Sequence, residues 1–349
     1  MGKYINLKVA DVVQETADAM SFYFSTGLFS KLKYKAGQFL TLSVELGGKE
    51  YMRAYSLNTA MSVDPMPSIT IKRVDGGLVS NHILDTLKKG AKIKALKPRG
   101  NFTFEPDPNI GRHIVLIAGG SGITPIMSIA KTALHFEPNT TVSMVYCNKN
   151  EGSIIFNSKI EELRNKFARR FEILHLLAEP NEDWTGGTGL IDEGNIGGIV
   201  ARFANWSKPR TEYFICGPEG LMNASKSGLV KLGISESRVH LESFTASSLL
   251  TDGASEVFED QEINLSYKGK TSTVTIPGDK SILDVALDEG INIPFSCCSG
   301  SCGTCMAKLK SGEVKMIGGN VLTDKEIEQG YILTCVSHPV TSDVSIEIE

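Results

Sequence analysis

The chain has 349 residues, of which 41% are hydrophobic and 22% are charged, and its formal net charge is −4. This length predicts two or three domains. The composition is that of a globular protein, and no apolar run approaches the roughly 20 residues that cross a bilayer. The chain has neither a basic run nor a basic patch interleaved with aromatic residues, so we expect neither membrane insertion nor nucleic-acid binding.

Charge is divided unevenly along the chain. Residues 1–254 contain 29 Lys and Arg against 25 Asp and Glu, whereas residues 255–349 contain 7 against 15. This division indicates separate modules. The acidic surface of the C-terminal module is either a face for electron transfer or simply a surface that keeps a small domain in solution.

The first module consists of short segments of alternating hydrophobicity that are separated by glycine turns. This spacing predicts a small antiparallel barrel, interrupted by one helix at Val79–Lys88. The predicted strands are Ile5–Val13, Ala19–Ser25, Gln38–Val44, Tyr51–Leu57, Ser68–Val74 and Lys92–Leu96.

Two segments of this module suggest a flavin site. In Tyr51–Leu57, Arg53 can hold a phosphate with its planar guanidinium, Tyr55 offers a flat ring and Ser56 offers a short hydroxyl. These residues alone would suit an ordinary barrel strand equally well. In Ile71–Asn81, two glycines open a helix, and the exposed backbone N–H groups of such a helix start can bind a pyrophosphate.

The second module alternates apolar strands with helical patterns, which is typical of parallel βαβ units. The predicted strands are His113–Ala118, Thr141–Cys147, Glu172–Ala178, Glu212–Cys216 and Val239–Leu241. The predicted helices are Thr124–His135, Ser153–Phe167, Glu193–Phe203 and Glu219–Leu232.

Two turns of this module indicate a nucleotide site. After the first strand, Gly120 and Gly122 permit close approach of a dinucleotide phosphate, Thr124 is expected to cap the next helix, and Pro125 suits its first turn. The segment Cys216–Met222 also follows a buried strand and opens a helix at the carboxyl edge of the sheet, where ligands bind. Its cysteine could equally be a small buried residue of the core.

The third module begins after a small, polar segment between Phe244 and Phe258 that we interpret as a linker. Two strands, Glu262–Tyr267 and Lys270–Ile276, and a helix at Ser281–Glu289 are expected before a group of cysteines.

The cysteine pattern predicts an iron–sulfur cluster. Cys297, Cys302 and Cys305 have C-x4-C-x2-C spacing and Cys335 supplies a distant fourth thiolate, as in plant-type [2Fe–2S] sites. A zinc site or a disulfide pair is the alternative, but zinc prefers two C-x2-C pairs and the chain has one. Seven cysteines, four of them in one motif, and no N-terminal signal peptide predict a cytoplasmic protein.

Four motifs follow one another along the chain: Arg53–Ser56, Gly119–Pro125, Cys216–Pro218 and the cysteine set. In this order they resemble the ferredoxin–NADP reductase superfamily with a fused plant-type ferredoxin domain. They are similar in particular to the reductase component of bacterial phenylacetyl-CoA epoxidase and to related oxygenase reductases. The resemblance covers essentially the whole chain.

The resemblance implies a multidomain fold. An FAD-binding antiparallel β-barrel is expected at 1–108 and an NAD(P)-binding α/β domain with a parallel sheet at 109–244. A linker at 245–257 then leads to an α+β, β-grasp-like ferredoxin domain at 258–349.

The resemblance also implies the site residues. Ser56 and Cys216 are the expected catalytic residues, with Cys216 beside the reactive ring carbon of the nicotinamide. Cys298 is a departure, because this family usually has a charged or small residue there. The expected cofactor-binding residues are Arg53, Ala54, Tyr55, Ser56, Lys72, Gly76, Gly77, Val79, Ser80, Gly120, Ser121, Gly122, Thr124, Lys149, Ser153, Gly217 and Pro218. The expected metal ligands are Cys297, Cys302, Cys305 and Cys335.

The implied cofactors are FAD, a [2Fe–2S] cluster and NADPH or NADH. Because NAD(P)H gives two electrons at once and the cluster accepts one, a flavin is expected between them. We interpret the chain as an NAD(P)H-dependent reductase that delivers electrons through FAD and the cluster to a partner oxygenase or a ferredoxin-like protein. The alternatives are a stand-alone ferredoxin- or flavodoxin-type reductase or diaphorase, and a non-enzymatic iron–sulfur redox sensor.

The turn after the second strand of the nucleotide module contains residues that could decide whether the protein prefers NADPH or NADH. Lys149 and Ser153 could hold the 2′-phosphate of NADPH, which favours that cofactor. Glu151 lies between them and could instead bind the ribose hydroxyls of NADH. The remaining alternative is an exposed turn that contacts neither cofactor.

Overall fold

The computed structural model describes residues 4–25, 32–204, 208–244, 258–291, 293–295, 300, 303–318 and 321–348. The chain forms two compact units, one of Met1–Leu42 with Tyr55–Ser243 and one of Ser43–Ala54 with Phe244–Glu349. None of the helices within the described ranges is long and apolar enough to cross a membrane. The predicted linker at 245–257 lies outside the described residues.

Six N-terminal strands form a sheet with the order β4-β3-β6-β1-β2-β5. An antiparallel bridge between Leu57 and Ile69 joins the end of β4 to β5, so the sheet closes on itself. The predicted antiparallel barrel is confirmed, and the predicted helix is α1, Leu78–Thr86. The strands are β1 Tyr4–Thr16, β2 Ala19–Ser25, β3 Phe39–Leu46, β4 Lys49–Ser56, β5 Ser68–Lys72 and β6 Lys92–Leu96.

The second sheet is parallel throughout, with the order β10-β9-β8-β7-β11-β12. Its strands are β7 His113–Gly119, β8 Thr141–Asn148, β9 Phe171–Leu177, β10 Gly187–Thr188, β11 Thr211–Cys216 and β12 Val239–Glu242. The helices are α2 Ile123–Phe136, α3 Asn157–Lys166, α4 Ile196–Val200 and α5 Glu219–Lys231. Every residue of β7 is buried because apolar clusters cover both faces of the sheet.

The strand order of this sheet reverses beside β7. The chain runs outward from β7 to β10 and then returns to the opposite side of β7 with β11. In open α/β sheets, ligands bind at such a reversal, outside the carboxyl ends of the strands. Both predicted glycine turns follow the two strands that meet there.

Two helices of the second sheet differ from their predicted bounds. The pattern at Ser153–Phe167 predicts one helix, but α3 starts only at Asn157, because Phe156 has a left-handed backbone with φ of +64°. The helix predicted at Glu193–Phe203 is confined to α4, whose interior contains Gly197 and Gly198. Glycine loses more backbone entropy in a helix than any other residue, which favours a short helix here.

The C-terminal sheet mixes parallel and antiparallel pairs in the order β14-β13-β19-β15-β17. A separate antiparallel pair joins β16 to β18, and the short helix α7 was not predicted. The strands are β13 Gln261–Tyr267, β14 Lys270–Ile276, β15 Met306–Ser311, β16 Val314–Met316, β17 Tyr331–Leu333, β18 Ser337–Pro339 and β19 Ser345–Ile348. The helices are α6 Ile282–Asp288 and α7 Asp324–Glu328, each of which starts with a capping box. The predicted α+β fold is confirmed.

Candidate cofactor sites

The predicted flavin-binding residues Arg53, Ala54, Tyr55 and Ser56 all lie on β4. Because side chains alternate along a strand, Arg53 and Tyr55 share one face. Both are partly exposed, whereas Ser56 is only 3% exposed. The Arg53 guanidinium donates a hydrogen bond from Nη1 to the backbone oxygen of Met52 at 2.8 Å. A planar cation and an aromatic ring on one strand face fit a phosphate and a flat ring system, and their contacts with FAD stay a prediction.

A buried hydrogen-bond network holds the end of β4 against β5. Asn58 Nδ2 donates to Thr70 Oγ1 at 2.7 Å, and Ser68 Oγ donates to Asn58 Oδ1 at 2.5 Å. The backbone N–H of Asn58 also donates to the Ser68 oxygen at 3.0 Å. This network fixes the backbone two residues after Ser56. It was not predicted, although three polar side chains among apolar barrel residues are a signal for such bonding.

The turn before α1 has the geometry of an anion site. Gly76 has a φ of +65°, and a Cβ on Gly77 would lie only 2.6 Å from Ser80 Oγ and 2.9 Å from Val74 Cβ. Gly77 is the N-cap of α1 and makes no side-chain capping bond, and the first turn has no acidic residue. The first backbone N–H groups of the helix therefore suit a pyrophosphate.

The two other predicted residues in this region have different environments. Lys72, at the end of β5, has its Nζ 3.5 Å from an Asp18 carboxylate oxygen. Val79 is buried, so its side chain packs into the protein and only its backbone could face a phosphate.

The two glycine turns of the second sheet lie against each other at its carboxyl edge. A Cβ on Gly122 would lie 2.1 Å from the backbone oxygen of Cys216, and a Cβ on Gly119 would lie 2.7 Å from Pro218 Cδ. A Cβ on Gly217 would lie 2.9 Å from the backbone nitrogen of Gly119. These glycines let the ends of β7 and β11 approach closely at the reversal of strand order, where dinucleotides bind.

The start of α2 corrects one prediction. Gly120–Gly122 form a 3₁₀ turn, and Gly122 is the N-cap of α2 with no side-chain capping bond. Thr124 is therefore not the cap. It lies in the first turn, and its Oγ1 donates to the Ser121 oxygen at 3.0 Å, because the 3₁₀ turn leads directly into the helix, which starts at Ile123, one residue before the predicted start. Pro125 lies in the first turn, as predicted.

Two polar residues near the end of β8 were not predicted. Tyr146 is fully buried, and its hydroxyl donates to the Gly120 oxygen at 3.0 Å, which ties the glycine turn to the neighbouring strand. Burial raises the pKa of the Tyr146 hydroxyl, so it stays protonated and able to donate. Asn148 is buried and neither its Nδ2 nor its Oδ1 has a hydrogen-bond partner within the described part of the chain. Polar residues at the end of an apolar strand are the signal that could have identified both.

Cys216 is fully buried at the last position of β11, opposite Glu242 of β12. Burial, and to a smaller extent the nearby Glu242 carboxylate, raise the pKa of the Cys216 thiol well above its usual range. The side chain is therefore a neutral thiol at physiological pH. It can shape the sheet edge next to a nicotinamide ring, and it is not an activated thiolate nucleophile.

Lys149 and Ser153 interact with different neighbouring residues. Lys149 is 65% exposed, and its Nζ lies 3.3 Å from a Glu179 carboxylate oxygen. The Ser153 hydroxyl lies in a capping box with Asn150, donating to its backbone oxygen at 2.7 Å. Glu151 accepts a hydrogen bond from the Asn181 backbone N–H at 3.1 Å. Recognition of a 2′-phosphate by Lys149 and Ser153 stays a prediction.

Two predicted cluster ligands come together in the C-terminal unit. The Sγ atoms of Cys305 and Cys335 are 3.2 Å apart, whereas a disulfide would hold them at about 2.05 Å. Two thiolates on one tetrahedral metal, each about 2.3 Å from it, are about 3.8 Å apart. The observed Sγ–Sγ distance lies between the disulfide distance and this value. The Gly300 N–H points to Cys335 Sγ at 3.4 Å, and such a bond favours a thiolate. This donor set fits a cluster.

The rest of the cluster loop is only partly described. Gly300 and Gly303 both have positive φ, at +72° and +66°, which glycine adopts without strain. The predicted ligands Cys297 and Cys302, and the neighbouring Cys298, lie outside the described residues.

Three family models match the chain in the order of its modules. An oxidoreductase FAD-binding domain matches residues 6–104. An oxidoreductase NAD-binding domain matches residues 116–227, and a 2Fe-2S iron-sulfur cluster binding domain matches residues 265–340.

Similar proteins match along nearly their whole length. One component of the 1,2-phenylacetyl-CoA epoxidase of Escherichia coli K12 is 30% identical over 353 residues, which cover 100% of this chain and 99% of that protein. The ferredoxin reductase component of the 3-ketosteroid-9-alpha-monooxygenase of Mycolicibacterium smegmatis is 34% identical, covering 98% and 96%. Among solved structures, phthalate dioxygenase reductase has a TM-score of 0.60 and 26% identity, covering 99% of this chain and 98% of that one.

Proposed function

The chain belongs to the family of flavin- and iron–sulfur-containing oxygenase reductases, and from this membership we propose how it works: it oxidises NADPH or NADH and delivers single electrons to a partner oxygenase. It is an NAD(P)H-dependent oxidoreductase with FAD-binding, NAD-binding and 2Fe-2S domains. Two of its relatives, in Escherichia coli and Mycolicibacterium smegmatis, are components of an epoxidase and of a monooxygenase.

The observation that carries the proposal is the presence of three cofactor sites on one chain. When bound, FAD accepts a hydride from the reduced nicotinamide and the cluster transfers electrons one at a time. Arg53, Tyr55 and the start of α1 are proposed to hold the flavin. The N-terminal turn of α2 is proposed to hold the dinucleotide phosphates, and Cys216 is proposed to border the nicotinamide as a neutral side chain.

We expect one FAD and two irons per chain, together with NAD(P)H-dependent reduction of a one-electron acceptor such as cytochrome c. The flavin released by acid should run as FAD on chromatography, and metal analysis should show iron without stoichiometric zinc. Finding FMN or zinc would overturn the corresponding assignment. Rapid turnover with dyes, but no reduction of any purified oxygenase component of the relatives, would favour a stand-alone diaphorase.

The cofactor preference that we propose is NADPH over NADH. Lys149 is exposed directly after the last residue of β8 and pairs with Glu179, which is equally exposed. The ion pair is therefore weak, and a phosphate could replace the carboxylate. A charged hydrogen bond to phosphate contributes about 1.5–3 kcal/mol, or roughly ten- to a hundredfold in specificity.

We predict that Lys149→Ala lowers the NADPH/NADH ratio of kcat/KM by about tenfold or more, because it removes the cation that would hold the 2′-phosphate. The measurement is steady-state kinetics with both cofactors. Lys231→Ala serves as the control, because Lys231 also forms an exposed ion pair in this module, with Glu193. Lys231→Ala should keep the wild-type ratio. If Lys149→Ala also keeps it, Lys149 does not recognise the phosphate.

The proposed domain boundaries and cellular compartment follow from the family matches and from the cysteines. We propose the limits 1–108, 109–244 and 258–349, with a linker at 245–257, since each matched family model falls within one of the three segments. We place the protein in the cytoplasm, because Cys147 and Cys216 are buried thiols outside any disulfide.

A further inference from the structure

Helix α2 contacts the segment that follows the flavin strand β4. Ser128, on α2, is fully buried, and its Oγ donates a hydrogen bond to the backbone oxygen of Thr59 at 2.7 Å. Thr59 itself is fixed, because its Oγ1 bonds the Tyr34 hydroxyl at 2.8 Å and accepts from the Ser68 N–H at 3.1 Å. The helix is therefore tied to a rigid part of the barrel.

An ion pair reinforces this contact one helical turn further on. Lys131 Nζ lies 2.9 Å and 3.1 Å from the two carboxylate oxygens of Asp64. Both side chains are largely buried, and Asp64 also accepts a hydrogen bond from the Ala60 N–H at 2.7 Å. A partly buried ion pair with fixed geometry is stronger than an exposed one. We call Ser128, Lys131, Thr59 and Asp64 the α2 strut.

In the sequence, the residues of the α2 strut are close both to the proposed dinucleotide turn and to the proposed flavin strand. Ser128 is six residues after Gly122, so about 9 Å of helix separates it from the glycine turn. Thr59 is three residues after Ser56, a span of at most about 11 Å. The strut thus connects the proposed dinucleotide turn to the proposed flavin strand by a short and rigid route.

We propose that Ser128 and Lys131 are positioning residues for hydride transfer, because they set the alignment of the dinucleotide site relative to the flavin strand. The inference rests on the proposed function. In this reaction, the C4–H bond of the reduced nicotinamide would break and an N–H bond at flavin N5 would form, since the hydrogen moves with both electrons. The products would be the oxidised nicotinamide and the two-electron-reduced flavin. Such a transfer needs near-attack geometry, and a misplacement of about 1 Å can slow it a hundredfold.

Other contacts keep the barrel and the second sheet docked when the strut is cut. Lys159 of α3 binds Glu15 at 2.5 Å. At the opposite, amino edge of the sheet, Arg112 bonds the Glu105 oxygen at 3.1 Å and the buried Glu137 carboxylate at 2.7 Å. The loss of the strut should therefore alter alignment without separating the modules.

The test is stopped-flow reduction of the bound flavin at saturating NADPH or NADH, in wild type, Lys131→Met, Asp64→Asn and the double variant. We expect each single variant to lower the limiting reduction rate about tenfold while the Kd for the dinucleotide changes less than twofold. The double variant should be no slower than the single variants, because each single substitution already breaks the same ion pair. With the dinucleotide deuterated at the transferred position, the kinetic isotope effect should be larger than that of the wild type.

Matched variants separate positioning from simple destabilisation. Ser128→Ala should slow reduction as Lys131→Met does, and Lys231→Met, which breaks the exposed pair with Glu193 in the same module, should leave the rate unchanged. FAD content should be equal in all variants. Wild-type reduction rates in both Lys131→Met and Ser128→Ala, or a loss confined to dinucleotide Kd, would overturn the strut. Failure of the wild type to reduce its flavin with either dinucleotide would instead overturn the proposed function.

Discussion

Replacing Cys335 in the variant Cys335→Ser is expected to abolish the iron–sulfur cluster and to lower electron delivery to an oxygenase by more than a hundredfold, while FAD stays bound. A serine hydroxyl stays protonated at neutral pH and cannot replace a thiolate ligand. Cys335 is buried, and its Sγ lies 3.2 Å from the Sγ of Cys305, the other described cluster ligand. Reduction of ferricyanide by NAD(P)H should remain within about twofold of wild type, since the barrel and second sheet are unchanged.

The measurements are iron content, the visible spectrum and activity with ferricyanide, cytochrome c and an oxygenase component. Cys305→Ser should behave as Cys335→Ser does, because their thiols share one side of the site. The adjacent residues Cys297 and Cys298 provide a matched pair of variants that tests which of the two is the first cluster ligand. Cys297→Ser should lose the cluster, whereas Cys298→Ser should keep it, because only Cys297 has the four-residue gap to Cys302.

Two outcomes would contradict this prediction. A Cys335→Ser protein with two irons and a wild-type spectrum would show that Cys335 is not a ligand. A cluster lost in Cys298→Ser but retained in Cys297→Ser would show that the ligand register is shifted by one residue.

The variant Gly122→Ala is expected to lower the kcat/KM for NAD(P)H by a hundredfold or more. The added methyl group would lie 2.1 Å from the Cys216 backbone oxygen and 2.5 Å from its carbonyl carbon. Backbone atoms cannot rotate away as a side chain can, so the turn after β7 and the end of β11 must move apart. A shift of this kind displaces the start of α2, and about 1 Å of misplacement is enough for a hundredfold loss.

Flavin reduction by NADPH and NADH measures this effect, with FAD content and thermal unfolding recorded alongside. Gly198→Ala is the control, because a Cβ there meets nothing within 4 Å and the residue lies inside α4, which contains none of the proposed dinucleotide-binding residues. Alanine is favoured over glycine in a helix, so this control should be at least as stable as wild type and fully active. Near-normal kcat/KM in Gly122→Ala would mean that the close approach of the two turns is not needed for dinucleotide use.

The sequence by itself determined the modules and their chemical classes. Alternation with period two predicted the barrel strands, and the bounds of β2 and β6 are those observed. Strand–turn–helix order around Gly120 and Gly122 predicted a parallel sheet with a nucleotide turn, and cysteine spacing predicted the cluster. These features are local, because hydrophobic period, glycine turns and ligand spacing are each read within a few dozen residues.

Local patterns failed where the backbone conformation depends on a neighbour. The patterns predicted Thr124 as the cap of α2, but a 3₁₀ turn packed against Cys216 leads directly into the helix, which starts earlier, at Ile123. The start of α3 was placed too early, because the left-handed backbone of Phe156 has no signal in residue type. Each error concerns a boundary, and a boundary is decided by contacts from elsewhere in the fold.

Only the tertiary structure decided which distant residues share a site. Residues 119–122 and 216–218 are about a hundred positions apart, and they meet because the strand order places β11 beside β7. The contacts of Tyr146 with Gly120 and of Ser128 with Thr59 depend on the same packing. A residue type records which bonds a side chain can form. Which partner the side chain meets depends on how the apolar faces of the elements pack together. That packing cannot be read from a short stretch of sequence.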